Sequence, residues 1–168
     1  VELFLKALIY FCHFNKTKKI EWTHIGNGPE FKKINKISKI KLDNCKINFL
    51  GFLSHKEMID FYMNNPVDLF VNTSSKEGTP VSLMEAICCS IPVMVTSFGG
   101  NKEIAMRSSG FLLSENPTIE EISSRLCEIT DLDDLYSYRV NARNAWMKYY
   151  NSESNYLKFF EDIEGIFS

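Results

Sequence analysis

Two hydrophobic periods alternate along this chain, and the alternation limits its fold more than any single residue does. Short apolar runs rich in β-branched and aromatic residues lie at Ile20 to Ile25, Ile47 to Phe52, Val67 to Val71, Ile91 to Thr96 and Phe111 to Leu113. Between them, apolar residues return at three- and four-residue steps. Val1, Phe4, Leu5, Leu8, Ile9 and Cys12 form one such set, and Phe31, Ile34, Ile37 and Ile40 another. Met58, Ile59, Phe61 and Tyr62 follow, ended by Asn64-Asn65-Pro66, and a further helix is expected from Pro80 to Cys89. From Thr118 onward the pattern is helical, and Asn151-Ser152 sets off a terminal helix over Glu153 to Phe167 with an aromatic face of Tyr156, Phe159, Phe160, Ile163 and Phe167. Short strands separated by helices predict a parallel sheet covered on both faces. Five strands are too few for an eight-stranded barrel, so the expected class is an α/β fold with an open, mostly parallel sheet. Residues 1–150 read as one domain and 151–168 as an added C-terminal helix.

Composition excludes several classes. The 168 residues include 13 Phe, 7 Tyr and 2 Trp, enough apolar surface to exclude global disorder. The stretch Leu3 to Cys12 is broken by Lys6 and falls well short of the ~20 residues of a membrane span. It also lacks the flanks of a secretory signal. A net charge of -2 gives no reason to expect nucleic acid as a partner. That charge is uneven: residues 1–50 hold ten Lys against Glu2, Glu21, Glu30 and Asp43, a net +6, so the other 118 residues carry -8. Lys32, Lys33, Lys36, Lys39 and Lys41 surround one apolar ridge, either as a solvated face or as a face drawn to an anionic membrane. Cys12, Cys45, Cys88, Cys89 and Cys127 have no C-x-x-C spacing, which indicates thiols in a reducing compartment rather than a disulfide framework or a zinc site. His13, His24 and His55 share no ligand spacing and read as ordinary residues, and no metal site is expected.

In an open parallel sheet, ligands bind beyond the carboxyl ends of the strands, so the loops there are the candidates. Gly26-Asn27-Gly28-Pro29 follows the first strand directly. Its glycines allow a sharp turn and a close backbone approach to a ligand, although a strand-to-helix turn uses glycine in any case. The second loop runs from Ser74 into Gly78-Thr79-Pro80-Val81. Thr79 suits an N-cap and Pro80 a first helical residue, so unpaired N–H groups should stand there as a cradle for phosphate. Gly78 leaves room for it. Glu77 precedes that helix, and Glu85 lies ~7–8 Å along its axis, too deep to complement the dipole of the first turn. A carboxylate repels diphosphate but accepts two hydrogen bonds from a vicinal diol. Two acids flanking a phosphate cradle suit a sugar on one side and a ribose on the other, although acids at this spacing are common.

The larger pattern is more specific. Ser74-x-x-Glu77-Gly78-x-Pro80-x-Ser82-Leu83-x-Glu85-Ala86, then Ile91-Pro92-Val93 and Gly99-Gly100-x-x-Glu103-Ile104, resembles the family 4 retaining glycosyltransferases. These are two-domain GT-B enzymes, and the resemblance is to their C-terminal, donor-binding, Rossmann-like domain. Ile25-Gly26-Asn27-Gly28-Pro29, Asn48-Phe49-Leu50-Gly51-Phe52 and Gly110-Phe111-Leu112-Leu113 resemble its neighbouring turns and strands, and the order holds over roughly residues 1–130. The resemblance implies that Glu77 contacts hydroxyls of the transferred sugar and Glu85 holds the ribose diol. It implies that N–H groups around Gly78, Thr79, Pro80 and Val81 hold phosphate. Gly26 and Gly28 would line the diphosphate side, and the backbone from Gly51 to Leu53 would border the base. Gly99, Gly100 and Glu103 would shape their loop. The implied substrate is a nucleotide-sugar (UDP, GDP or ADP are not distinguished), with no cofactor. The implied acceptor is a saccharide or lipid-linked saccharide, in cytoplasmic synthesis of cell-surface polysaccharide such as capsule or lipopolysaccharide, with possible peripheral contact at the inner face of the membrane.

Two departures stand out. Ser90 occupies a place where family members usually carry Gly, at a helix-to-strand turn that calls for a left-handed residue. The family's donor domain also begins with a strand and a loop bearing Arg and Lys, whereas Val1 to Leu8 resembles the helix that follows them. That first strand is central in such sheets, so a gap in the sheet is expected, and so is inactivity of this chain without an N-terminal acceptor domain. Two other readings compete. A nucleotide-sugar epimerase of the same architecture would be expected to place His in the cleft, and the sequence shows none between Glu77 and Glu85. A non-catalytic phosphate-binding α/β module would call for an acid cluster at strand ends, whereas Asp68 begins its strand.

Overall fold

The computed structural model describes residues 1–74, 78 and 80–167. Five strands alternate with eight helices among these residues. Helix α1 (Glu2–Phe14) buries Phe4, Leu5, Ala7, Leu8, Phe11 and Cys12, one face at helical spacing. Strands β1 (Ile20–Ile25) and β2 (Cys45–Gly51) pair in parallel, with α2 (Phe31–Ile37) between them in sequence. Helix α3 (His55–Asn64) starts at a capping box in which Ser54 and Glu57 satisfy each other's backbone amides. Strands β3 (Phe70–Asn72), β4 (Val93–Thr96) and β5 (Phe111–Leu113) form a second parallel sheet, in that order, with α4 (Val81–Cys88) and α5 (Gly99–Ser108) as crossovers. Helices α6 (Ile119–Thr130), α7 (Tyr136–Tyr149) and α8 (Ser152–Phe167) complete the chain. Tyr156, Phe159 and Phe160 of α8 are exposed. The Phe167 side chain lies outside the described residues.

The α/β class with parallel strands and helices on both faces is as expected. The strands do not form one ladder, however: β1 and β2 make a two-stranded sheet and β3 to β5 a three-stranded one. Among the described residues β1 pairs with β2 alone and β3 with β4 alone.

Side chains bridge that division. One core layer contains Phe4, Leu8 and Phe11 of α1, Met94 of β4, Leu113 of β5 and Ile122 and Leu126 of α6, with Trp22 of β1 and Val71 of β3 packed against it. The opposite layer contains Leu83, Ala86 and Ile87 of α4, Ile104 and Ala105 of α5, Ala142 of α7, and Val93 and Val95. Strand β4 therefore sends Met94 to one layer and its two valines to the other, and all four of its residues are buried.

Two helix ends fix the crossovers. After α4, the Ile91 amide donates to the Ala86 carbonyl at 3.0 Å and the Ser90 amide to that of Ile87 at 3.1 Å, a Schellman closure. It places Ser90 at φ 61°, the left-handed conformation anticipated from the sequence. After α5, Gly110 N–H donates to Ala105 O at 2.7 Å, and a Cβ on Gly110 would stand 2.6 Å from Val93 Cγ2. Gly99 and Gly100, expected to shape a loop, instead open α5, with Gly99 at φ 50°.

Candidate functional site

The parallel strands carry the candidate residues to their carboxyl ends. Beyond β1 and β2, Gly26 (φ 136°) and Gly51 (φ 74°) adopt conformations that favour glycine, and the Gly26 amide donates to Gly51 O at 2.7 Å. This bond ties the two predicted turns together. Gly28 faces open space, with nothing within 4 Å of where a Cβ would stand. Leu53 is half-buried next to the exposed Phe52.

Beyond β3, Glu77 and Thr79 lie outside the described residues. The N-cap of α4 is Pro80, not Thr79 as expected: Pro80 is extended (φ -74°, ψ 121°), and its carbonyl accepts from Leu83 N at 3.1 Å and Met84 N at 3.4 Å. Proline can hold this place because an N-cap needs no amide of its own inside the helix. Val81 becomes the first helical residue and is exposed. Among the described residues, the amides of Val81 and Ser82 find no backbone acceptor, and as first-turn amides at the positive end of the helix dipole they are suited to an anion. Gly78 is anchored from the next crossover, since Gly100 N–H donates to its carbonyl at 2.9 Å. Glu103 pairs with Arg107 one turn along α5 at 2.9 Å.

Glu85 sits one turn beyond Val81, between the buried Leu83 and Ala86, with only 13% of its side chain exposed. Its Oε1 lies 2.5 Å from Nδ1 of His55, the first residue of α3. Sequence reasoning treated His55 as an ordinary residue and found no His near Glu85 along the chain. In space that is corrected: the loop after β2 delivers an imidazole to the carboxylate, and this particular argument against an epimerase falls. Burial first, then the charges of Glu85 and Cys89, push the phenol of Tyr62 above its ordinary range. The Glu85 carboxylate thus lies in a partly dry corner.

A second group missed from sequence lies under the loop that follows β3. Thr96 Oγ1 donates to Ser74 O at 2.5 Å, and the fully buried Asn101 donates from Nδ2 to Thr96 Oγ1 at 3.4 Å. Ser74 N in turn donates to Asn72 Oδ1 at 2.8 Å. These polar groups pin the start of the loop to β4 and α5. Threonine and asparagine carry no periodic signal, so only the fold reveals this group.

The arrangement brings first-turn helix amides, a mostly buried carboxylate with an imidazole beside it, and two glycine turns to the same ends of the strands. It suits an anion next to a hydroxyl-bearing group. Among the described residues, no cluster of three His, Cys, Asp or Glu could hold a metal, and no helix is long and apolar enough to cross a membrane.

The chain is similar to known proteins over most of its length. The family model "Glycosyl transferases group 1" matches residues 1–148. The O-antigen biosynthesis glycosyltransferase WbnH of Escherichia coli is 32% identical over 140 residues, which cover 83% of this chain and 37% of WbnH. The chain thus spans little more than a third of that relative's length. The crystal structure of the C-terminal domain of the group 1 glycosyl transferase LpcC from Francisella tularensis aligns with a TM-score of 0.69 at 24% identity, over 90% of this chain and 79% of that one. Anabaena HepE, in complex with UDP, aligns with a TM-score of 0.72 at 20% identity, over 97% of this chain and 44% of HepE. With the family model matching almost its whole length, this chain belongs to the group 1 glycosyl transferases of GT-B architecture.

Proposed function

We propose that this chain is the donor-binding part of an enzyme that moves a sugar from a nucleotide-sugar to a saccharide or lipid-linked acceptor, with retention at the anomeric carbon. The observation that carries this reading is the start of α4, where the first-turn amides of Val81 and Ser82, without a backbone acceptor among the described residues, lie one turn before the mostly buried Glu85. Amides at a helix start suit a diphosphate, and a carboxylate beyond them suits a ribose diol. The UDP held by HepE, whose fold this chain shares, agrees with a nucleotide as ligand. Glu85 takes the ribose, the backbone at Gly78, Thr79, Pro80 and Val81 takes phosphate, Gly26 and Gly28 border the diphosphate, and Gly51 and Leu53 border the base.

Glu77 positions hydroxyls of the donor sugar and is not a nucleophile. Catalysis comes from stabilising the departing diphosphate with backbone amides and basic groups, and it needs no cofactor. The acceptor is bound by a separate N-terminal domain, and the chain alone transfers no sugar. The likeness to WbnH supports a role in O-antigen or related cell-surface polysaccharide synthesis; the place proposed for it is the cytoplasm, at the inner face of a membrane. A peripheral membrane contact would use the groove of Ile9, Tyr10, Phe14, Ile40 and Leu42, which is rimmed by Lys6 and flanked by Lys39 and Lys41.

The test is Glu77→Gln in the full-length enzyme, with kcat and donor affinity measured separately. The expected result is a fall of at least tenfold, on the order of one lost charge-assisted hydrogen bond. If both constants are unchanged, the role of Glu77 is wrong. Robust transfer by this chain alone would refute the need for an acceptor domain.

A further inference from the structure

We propose that His55 is a positioning residue that holds the Glu85 carboxylate in the orientation in which it takes a ribose diol. This rests on the nucleotide-sugar reading above and adds to it a residue outside the α4 motif. Three observations support it. The backbone that carries the imidazole is fixed independently of Glu85, because Ser54 N donates to Glu57 Oε2 at 2.8 Å and Ser54 Oγ to the same oxygen at 2.6 Å, which caps the first turn of α3. The pair spans 30 residues of sequence and joins α3 to α4, so it couples the loop after one sheet to the crossover of the other.

The third observation is the inventory at the carboxylate. The His55 side chain is 73% exposed, whereas that of Glu85 is 13% exposed. A carboxylate can accept about four hydrogen bonds. Among the described residues, His55 supplies the one side-chain hydrogen bond to Glu85, and it goes to Oε1. Among the described residues, nothing else donates to Oε1 or Oε2, and two hydroxyls match the remaining lone pairs. A free Glu side chain samples many rotamers, and a donor that fixes one of them removes an ordering cost from ligand binding. An exposed imidazole contributes little to the core, so a purely structural reason for this contact is weak.

The experiment compares ribo- and 2′-deoxyribonucleotides. The full-length protein is titrated with UDP, GDP and ADP and with their 2′-deoxy counterparts, and the tightest-binding base is carried forward. In the wild type the ribonucleotide should bind more tightly than its deoxy form by on the order of tenfold, the value of a hydrogen bond to a charged group. His55→Ala should bring that ratio close to one. His55→Asn, which keeps an N–H donor near the place of Nδ1, should restore most of it. Glu85→Gln should abolish the ratio, and adding His55→Ala to it should change nothing further.

Binding of none of the three nucleotides would refute the nucleotide reading and this inference with it. Binding with a wild-type ratio near one, or with a ratio unchanged in His55→Ala, would refute this inference alone. So would equal weakening of both nucleotide forms, which is the mark of a structural role. So would a collapsed ratio that Asn does not restore. Tighter binding of the ribonucleotide by His55→Ala would show that the ring occupies the place of the diol, which also refutes it.

Discussion

Ser90→Gly should stabilise the protein, and the size of the gain follows from the Schellman turn after α4. Ser90 sits at φ 61°, where a residue with a Cβ is disfavoured by about 1–2 kcal/mol. The surrounding bonds hold it there: Ile91 N–H to Ala86 O closes the turn, and Ile91, Val93 and Ala86 lie in one buried cluster. Relaxation at Ser90 would pull β4 out of place, so the strain is retained. Glycine removes the penalty but adds about 0.5–1 kcal/mol of unfolded-state entropy. The net gain is about 0.5–1 kcal/mol, or roughly 1–4 °C in Tm for a chain of this size. Among the described residues the Ser90 hydroxyl makes no hydrogen bond, so Ser90→Ala, which keeps the Cβ, should stay within about 0.5 kcal/mol of wild type. Thermal melts and urea titrations of the three proteins provide the assay. A Ser90→Gly protein that melts at or below wild type, beside an unchanged Ser90→Ala, would show that the turn stores no such strain.

Three more outcomes are expected. Gly110→Ala places a Cβ 2.6 Å from Val93 Cγ2 and 3.0 Å from Val93 O and should cost about 1–3 kcal/mol, read as a lower urea midpoint. Asn44 is buried and donates from Nδ2 to the carbonyls of Cys12, Asn15 and Lys18 at 2.9–3.1 Å, so Asn44→Ala should cost about 2–3 kcal/mol with an unchanged m-value. Sedimentation with vesicles should show binding when they contain anionic lipid, less binding when Lys39 and Lys41 are both replaced by Gln, and no binding to neutral vesicles; equal binding to both kinds would end the membrane proposal.

Much of the fold is legible in the sequence because its signals are local. The run Ile20 to Ile25 and the helical set Phe4, Leu8 and Phe11 each announce their element, and Gly26 and Gly51 announce turns whose φ values are positive. Boundaries set by partners are less legible. The third strand begins at Phe70 rather than Val67, because its first ladder bond, Phe70 N–H to Pro92 O at 2.8 Å, is set by the neighbouring crossover. Helix α2 ends at Ile37 although the apolar spacing continues to Ile40, whose side chain is exposed. At the site, the spacing of Glu85 from Pro80 places that acid one turn into a helix, as found. The His55 contact could not be read, since nothing in a sequence marks two residues 30 apart as neighbours. Nor could the Thr96–Asn101 group, because a threonine and an asparagine carry no periodic signal that marks them as partners.

The seam between the two sheets has its own consequence. Among the described residues no ladder of amide bonds crosses it; Trp22 and Val71 pack there against the layer of Phe4, Phe11 and Met94. Oily contact is non-directional and fades on chilling, whereas backbone pairing does not share that temperature dependence. Refrigeration, more than warmth, is therefore the stress that should single out this junction and part the parallel β1–β2 unit from the rest while each ladder stays intact.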